Sequence, residues 1–163
     1  MNLIVAVDEN WGIGKDGDLL EKISEDLKYF KQKTTGKTVI MGRVTFDSLP
    51  NRKPLPNRKN IVLSRSKEIN VEGITLCGSV EELLKEIENE ESDNIFVIGG
   101  AKIYELLLPY CNKAYITKIY KKYEADRYFK NLDEDNRWKI TEKSEIMYKN
   151  KEIPFQFLVY ERV

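Results

Sequence analysis

At 163 residues the chain has the length of one globular domain with room for a real core. Its 27 basic side chains are cancelled by 27 acidic ones, so no net field draws it to nucleic acid or an anionic membrane, and any positive site must be local. It contains no histidine, which excludes Ser-His-Asp and Cys-His nucleophile systems and imidazole metal sites, and leaves proton transfer to carboxylates, tyrosines or water.

The first predicted element is Leu3-Ile-Val-Ala-Val7, a continuous apolar run of the kind buried on both faces of a sheet, and therefore a central strand. It stops at Asp8, well short of a signal-peptide core or a membrane span. Cys77 and Cys111 form no CxxC pair. Together these features predict a cytoplasmic chain with two reduced thiols in packing roles. From Asp8 to Lys22 the sequence is polar and carries Gly12, Gly14 and Gly17, a length at which structureless loops are uncommon and often act as lids or binding loops, which predicts a loop that moves.

Ser24 is the expected N-cap of a helix running to about Thr34, before Gly36, with Glu25 and Asp26 in the first turn where the helix dipole favours negative charge. Helical spacing also sets Asp26 beside Ile23, Leu27 and Phe30, on the edge of an apolar face. An acid against apolar neighbours favours its neutral form, so Asp26 has a chemical reading, a raised pKa fit for proton handling, beside its structural one as a dipole partner.

Further strands are predicted at Thr38 to Met41, Asn60 to Ser64, Ile74 to Cys77, Asn94 to Ile98 and Lys113 to Tyr120. Between them, Ser79-Val-Glu-Glu82 reads as a capping box that opens a helix through Leu83, Leu84 and Ile87, and Lys102 to Leu108 reads as a helix stopped by Pro109. Trp138 to Tyr148 and Phe155 to Val163 read as two long strands joined as a hairpin through Lys149 to Pro154. The expected architecture is α/β: one three-layer domain over 1–163, with a mostly parallel sheet of about eight strands, an antiparallel C-terminal edge hairpin and about four flanking helices. No linker or internal repeat interrupts it.

Two strand ends suit phosphate. At Val97-Ile98-Gly99-Gly100-Ala101-Lys102 a buried strand meets two glycines and opens a helix, whose free N–H groups favour anions. At Gly42-Arg43-Val44-Thr45 a second strand ends in a cation and a hydroxyl, and an arginine there can fork onto a phosphate. Each has an ordinary reading, as a tight turn or a solvated arginine. Open parallel sheets, however, bind ligands beyond the carboxyl ends of their strands, where both would fall.

Taken together, Ile13-Gly14, Glu25-Asp-Leu-Lys-Tyr-Phe30, Val39-Ile-Met-Gly-Arg43, Leu55-Pro-Asn-Arg-Lys-Asn60, Val97-Ile-Gly-Gly100 and the threonine of Tyr115-Ile-Thr117 closely resemble dihydrofolate reductase, in that family's order and over essentially the whole chain. The resemblance implies NADPH-dependent reduction of 7,8-dihydrofolate to tetrahydrofolate, with hydride passing to C6 of the pterin and a proton to N5. Antifolate-type molecules are implied as further ligands. A monomer is the expected state, the default for a charge-balanced domain without an evident heptad or apolar stripe.

Residue by residue, Asp26 matches the family's active-site carboxylate, which would bind the pterin N3 and 2-amino group and favour N5 protonation through water. Leu27, Phe30 and Leu49 match apolar walls around the pterin and aminobenzoyl rings, with Ile4, Val5 and Ile98 beside them. Arg58 matches the arginine that grips the folate α-carboxylate, and Thr117 would bond near the pterin through Asp26 or water. For the cofactor, Ala6 and Ile13 match positions at the nicotinamide, and Gly14 and Leu19, the latter where a methionine is common, are further expected cofactor contacts. Gly99 and Gly100 match the pyrophosphate turn, continued by Ala101, Lys102, Ile103 and Tyr104. Gly42, Arg43, Val44 and Thr45 match the other phosphate-binding strand end. Leu63 and Ser64 end a third strand and Arg65 follows it, with Arg65 and Lys102 expected around the adenosine 2′-phosphate. Asp126 matches an acid that braces the mobile loop.

The chain departs from the family pattern at Leu20-Glu21, where Pro-Trp is most common, and Ser24 replaces a common proline. Glu21 is expected to point to solvent, because unpaired charges are rarely buried. Two other functions remain open: a related riboflavin-pathway reductase of a ribosylated pyrimidine, against which Asp26, Phe30 and Arg58 together argue, and a folate- or nucleotide-binding module without turnover.

Overall fold

In the computed structural model, which describes residues 1–66 and 68–163, the Val- and Ile-rich runs become strands with both faces covered. In chain order they are β1 (Asn2–Val7), β2 (Gly12–Gly14), β3 (Thr38–Gly42), β4 (Lys59–Leu63), β5 (Ile74–Cys77), β6 (Ile95–Gly99), β7 (Lys113–Ile119), β8 (Arg127–Tyr128), β9 (Trp138–Lys143), β10 (Met147–Lys149) and β11 (Ile153–Arg162). Among the described residues the α-helices are α1 (Ser24–Thr34), α2 (Arg43–Ser48), α3 (Val80–Glu86) and α4 (Ala101–Leu107).

The main sheet has the order β10-β11-β7-β1-β6-β3-β4-β5, with β9 also paired to β11, so β1 is central as its composition predicts. Pairing is parallel from β7 through β5, and β11 runs antiparallel to β7 from Phe155–Ile119 to Glu161–Lys113. The period of two along each strand sorts the core. Leu3, Val7, Ile40, Ile61 and Val97 pack with Leu83 of α3 and Leu107 of α4, while Ile4, Val39, Met41, Val62 and Phe96 pack with Phe46 of α2 and Tyr29 and Phe30 of α1. Helices on both faces make the expected three layers.

Two local expectations are corrected. Trp138 to Tyr148 is not one strand: β9 and β10 are separated at Ser144, whose hydroxyl takes the Phe157 N–H where a strand residue would use its carbonyl, and the β9–β11 register shifts at Val159/Tyr160. Ser24 is the first helical residue rather than the cap. Ile23 holds the cap position with an extended backbone, its carbonyl accepts from Leu27, and no side chain caps α1. The 8–22 loop carries order of its own, since its strand β2 pairs with β8 and Lys15 bridges Asp18.

Asp8 organises that loop. Fully buried, it accepts the N–H groups of Asn10 (2.9 Å) and Gly12 (2.8 Å) through Oδ1 and of Tyr123 (2.9 Å) through Oδ2. Farther along, the Asp126 N–H donates to the Gly14 carbonyl (2.9 Å) and its carboxylate accepts from the Asp16 N–H (3.0 Å), the brace expected of it. Because Asp8→Ala strands three donors, the buried Gly12 N–H and the part-buried N–H groups of Asn10 and Tyr123, it is expected to cost about 1–3 kcal/mol of stability, read as a lowered midpoint of urea unfolding. An unchanged midpoint would show that water satisfies those donors equally well.

A seam runs through the middle of the sheet. β1 and β6 pair only at Asn2–Phe96 and Leu3–Val97, and beyond that point their carboxyl ends separate. The Ile4 carbonyl, freed by the separation, accepts instead from the buried hydroxyl of Tyr104 on α4 (2.7 Å).

Candidate active site

Asp26 lies in the first turn of α1, over the carboxyl end of β7, and accepts the Thr117 hydroxyl on Oδ1 at 2.5 Å. Thr117 is buried and pairs with Ala6 of β1, so the acid is tied to the strands on one side of the seam. Burial pushes the Asp26 carboxyl above its ordinary pKa, and the Thr117 hydrogen bond opposes that rise without cancelling it. The direction agrees with the reading of the apolar helix face.

Phe30, Leu49, Ile4 and Ile98 belong to one apolar cluster on the α1–α2 face of the sheet, close to the acid. Leu27 leaves 52% of its surface exposed, so it offers an apolar wall instead of filling the core. Val5 does not join them: the alternation along β1 turns its side chain to the α3–α4 face, and only its backbone remains on this side.

Arg58 sits at the far end of α1. Its Nη1 donates to the Thr34 hydroxyl (3.0 Å) and its Nε to the Pro56 carbonyl (2.9 Å), which leaves Nη2 and the second Nη1 proton as a free fork. Asn60, buried, closes the loop beneath it by accepting from the Leu55 N–H and donating to the Leu55 and Arg58 carbonyls. Sequence reading missed Asn60, although an Asn closing a Pro-Asn turn is a legible signal.

Across the seam, the ends of β3 and β6 meet in a groove of about 310 Å³ walled by Gly42, Arg43, Val44, Thr45, Leu63, Gly100, Ala101, Lys102, Ile103 and Arg127. The two glycine-bearing turns predicted separately thus face one another. They are in close contact, because a Cβ on Gly42 would come within 2.7 Å of Ile103 Cγ1. Gly99, in a cis peptide with Gly100, has φ +125°, a conformation that side chains disfavour. Arg43 is aimed by Asp47 four residues on, which takes its Nε on both oxygens at 3.1 Å. That i,i+4 pair was readable from spacing; Arg127, contributed by β8, had no local signal.

A dinucleotide phosphate fits this groove: three cations, Arg43, Lys102 and Arg127, surround backbone that side chains are kept from covering. Ile13 and Gly14 stand nearby on β2, in the loop pinned by Asp126. Other candidates fall outside its walls. Leu19 is exposed, Ser64 and Arg65 lead away beyond β4, and Tyr104 is buried with its hydroxyl committed to Ile4. A larger hollow, about 800 Å³, adjoins the groove through Ala101 and Lys102 and extends past Leu108, Tyr128 and Trp138, but neither Asp26 nor Gly42 lines it.

The expectation for Glu21 is overturned. Its carboxylate accepts from the Tyr123 hydroxyl (2.9 Å) and the Lys149 ammonium (2.6 Å), with only 20% of the side chain exposed. The charge turns inward, partly shielded from solvent, because it is paired.

A family model described as dihydrofolate reductase matches residues 1–162. Among curated relatives, the dihydrofolate reductase of Bacillus subtilis is 42% identical over 164 residues, spanning 99% of this chain and 94% of that protein. That of Staphylococcus haemolyticus is 36% identical over 163 residues, spanning 100% and 96%. Among solved structures, dihydrofolate reductase from Enterococcus faecalis complexed with NADP(H) and RAB-propyl superposes with a TM-score of 0.86 at 33% identity, covering 99% of this chain and 95% of that one.

Proposed function

Because this chain belongs to the dihydrofolate reductase family, we infer that it reduces 7,8-dihydrofolate to 5,6,7,8-tetrahydrofolate with NADPH. The observation that carries the reading is Asp26: a half-buried carboxyl with a raised pKa, held by Thr117 at the edge of a seam whose other side is a cation-lined groove. When bound, NADPH supplies the hydride that is delivered to C6 of the pterin.

The chain's own residues do the rest. Asp26 takes the pterin N3–H and 2-amino group as charge-assisted hydrogen bonds, with Thr117 fixing its orientation, and the electron density it returns to the ring raises the basicity of N5. A single carboxylate cannot also span to N5, so the proton arrives through water. Leu27, Phe30, Leu49, Ile4 and Ile98 exclude water from the ring faces, and the Arg58 fork takes the α-carboxylate. Gly42, Arg43, Val44, Thr45 and Gly99 through Ile103 hold the cofactor's phosphates, and Ala6, Ile13 and Gly14 border its nicotinamide.

We further propose that residues 1–163 act as one monomeric domain in the cytoplasm, on small molecules and not on nucleic acid or membranes. The balanced charge supports this. Among the described residues no helix is long and apolar enough to cross a membrane. The deciding assay is loss of nicotinamide absorbance when NADPH and dihydrofolate are mixed with the chain. Turnover supports the reading, whereas NADPH binding with dihydrofolate left untouched would reduce the chain to a binding module.

A further inference from the structure

Glu21 and Asp26 are five residues apart, and between them the chain enters α1 through Ile23, which is 2% exposed. A helix start normally relies on a side-chain cap, and α1 has none. Other contacts hold it. Ile23 packs with Ile119 and Phe155, flanked by Tyr123, Met147 and Ile153. One turn on, the Tyr29 ring stacks on Phe157 at 4.0 Å and 7°. Glu21 completes the set by reaching Lys149 on β10 and Tyr123. The start of α1 is therefore fastened to the β10–β11 hairpin on one side and to the 120s segment on the other.

The pair has the character of a geometric device. Lys149 and Glu21 expose only 25% and 20% of their side chains, so salt screens them less than a surface pair, yet desolvation limits their net gain in stability. The Lys149 ammonium, helped by the Tyr123 hydroxyl, holds the Glu21 carboxylate below the ordinary range, so the clamp stays charged throughout the physiological range. What such a pair fixes is position: both carboxylate oxygens are engaged from different elements, and α1 cannot rotate or slide at its start without breaking one bond.

We propose that Glu21, through Lys149 and Tyr123, is a positioning residue that holds the uncapped start of α1, and with it Asp26, in register with Thr117. It touches neither substrate nor cofactor in this role, and the proposal rests on the dihydrofolate-reducing reading of the site.

The test is a double-mutant cycle on the full chain, reading single-turnover hydride transfer and the KM for NADPH, with thermal melting of each variant to certify folding. Glu21→Gln and Lys149→Met are each expected to slow hydride transfer about fivefold, the worth of one hydrogen-bonded partly buried pair, with the KM for NADPH unchanged. The double variant is expected to fall no further than either single one. If Lys149→Met does not fold, Tyr123→Phe takes its place in the cycle. Folded variants that transfer hydride at the native rate, or losses that multiply in the double variant, overturn the clamp. A native chain that never oxidises NADPH with dihydrofolate overturns the reading of the site instead.

Discussion

Asp26→Asn is expected to cut dihydrofolate reduction at neutral pH by about a hundredfold to ten-thousandfold, the span of a lost proton-handling group. Asparagine keeps the shape and an oxygen for the Thr117 hydroxyl, so what disappears is the charge that draws on the pterin's N3 and 2-amino protons. The loss should shrink in acid, where N5 takes its proton directly from solvent. NADPH binding should not change, since the groove across the seam does not include Asp26. The same substitution is expected to stabilise the ligand-free protein. Burial holds the Asp26 pKa above its unfolded value, so the folded chain retains a proton the unfolded chain has released. Stability is therefore lost as pH rises from the ordinary carboxylate range through the raised value, and stays lost above it. The amide variant does not titrate and escapes that loss, so its melting temperature should exceed the native one at neutral pH and converge with it in acid. A variant that melts lower at neutral pH would mean that the carboxylate is favourably solvated in the ligand-free state.

Arg58→Lys is expected to raise the KM for dihydrofolate about ten- to a hundredfold, with little change in kcat. Lysine keeps the positive charge but loses the planar fork, and cannot hold both the Thr34 hydroxyl and the Pro56 carbonyl while offering two parallel N–H groups outward. A dihydropteridine lacking the glutamate separates this from general damage, because native and variant chains should then reduce it equally well. If the variant loses as much on the truncated substrate, Arg58 acts on the loop around Asn60 and not on the carboxylate.

What could be read in the sequence was what depends on neighbours along the chain. The Val- and Ile-rich runs gave strands in the right order, and the Ser79 side chain accepts the Glu82 N–H at 3.1 Å as its spacing predicted. Asp26 was found because helical periodicity alone sets it against apolar residues, and the two glycine-bearing strand ends were found because each is local. Their meeting in one groove follows from sheet order, which no single segment carries. The Glu21 clamp was misread for the same reason: its partners lie 102 and 128 residues away, and an isolated glutamate in a polar loop gives no sign of them. The divided β9 and β10 likewise depend on Ser144 competing for a backbone partner on a distant strand.

The short pairing between β1 and β6 divides the labour of the sheet. Thr117, which holds the acid, lies on β7 beside β1, whereas the turns Gly42 to Thr45 and Gly99 to Ile103 follow β3 and β6, and the Tyr104 hydroxyl adds a stitch between the two sides beside the apolar packing they share. A pterin seated beside Asp26 and a dinucleotide seated on Gly99 would each lie along this weak line, and together they would cross it like a splint over a fracture. The ligands thereby become part of the protein's frame, and the rigidity that aligns donor and acceptor is assembled only when both are in place.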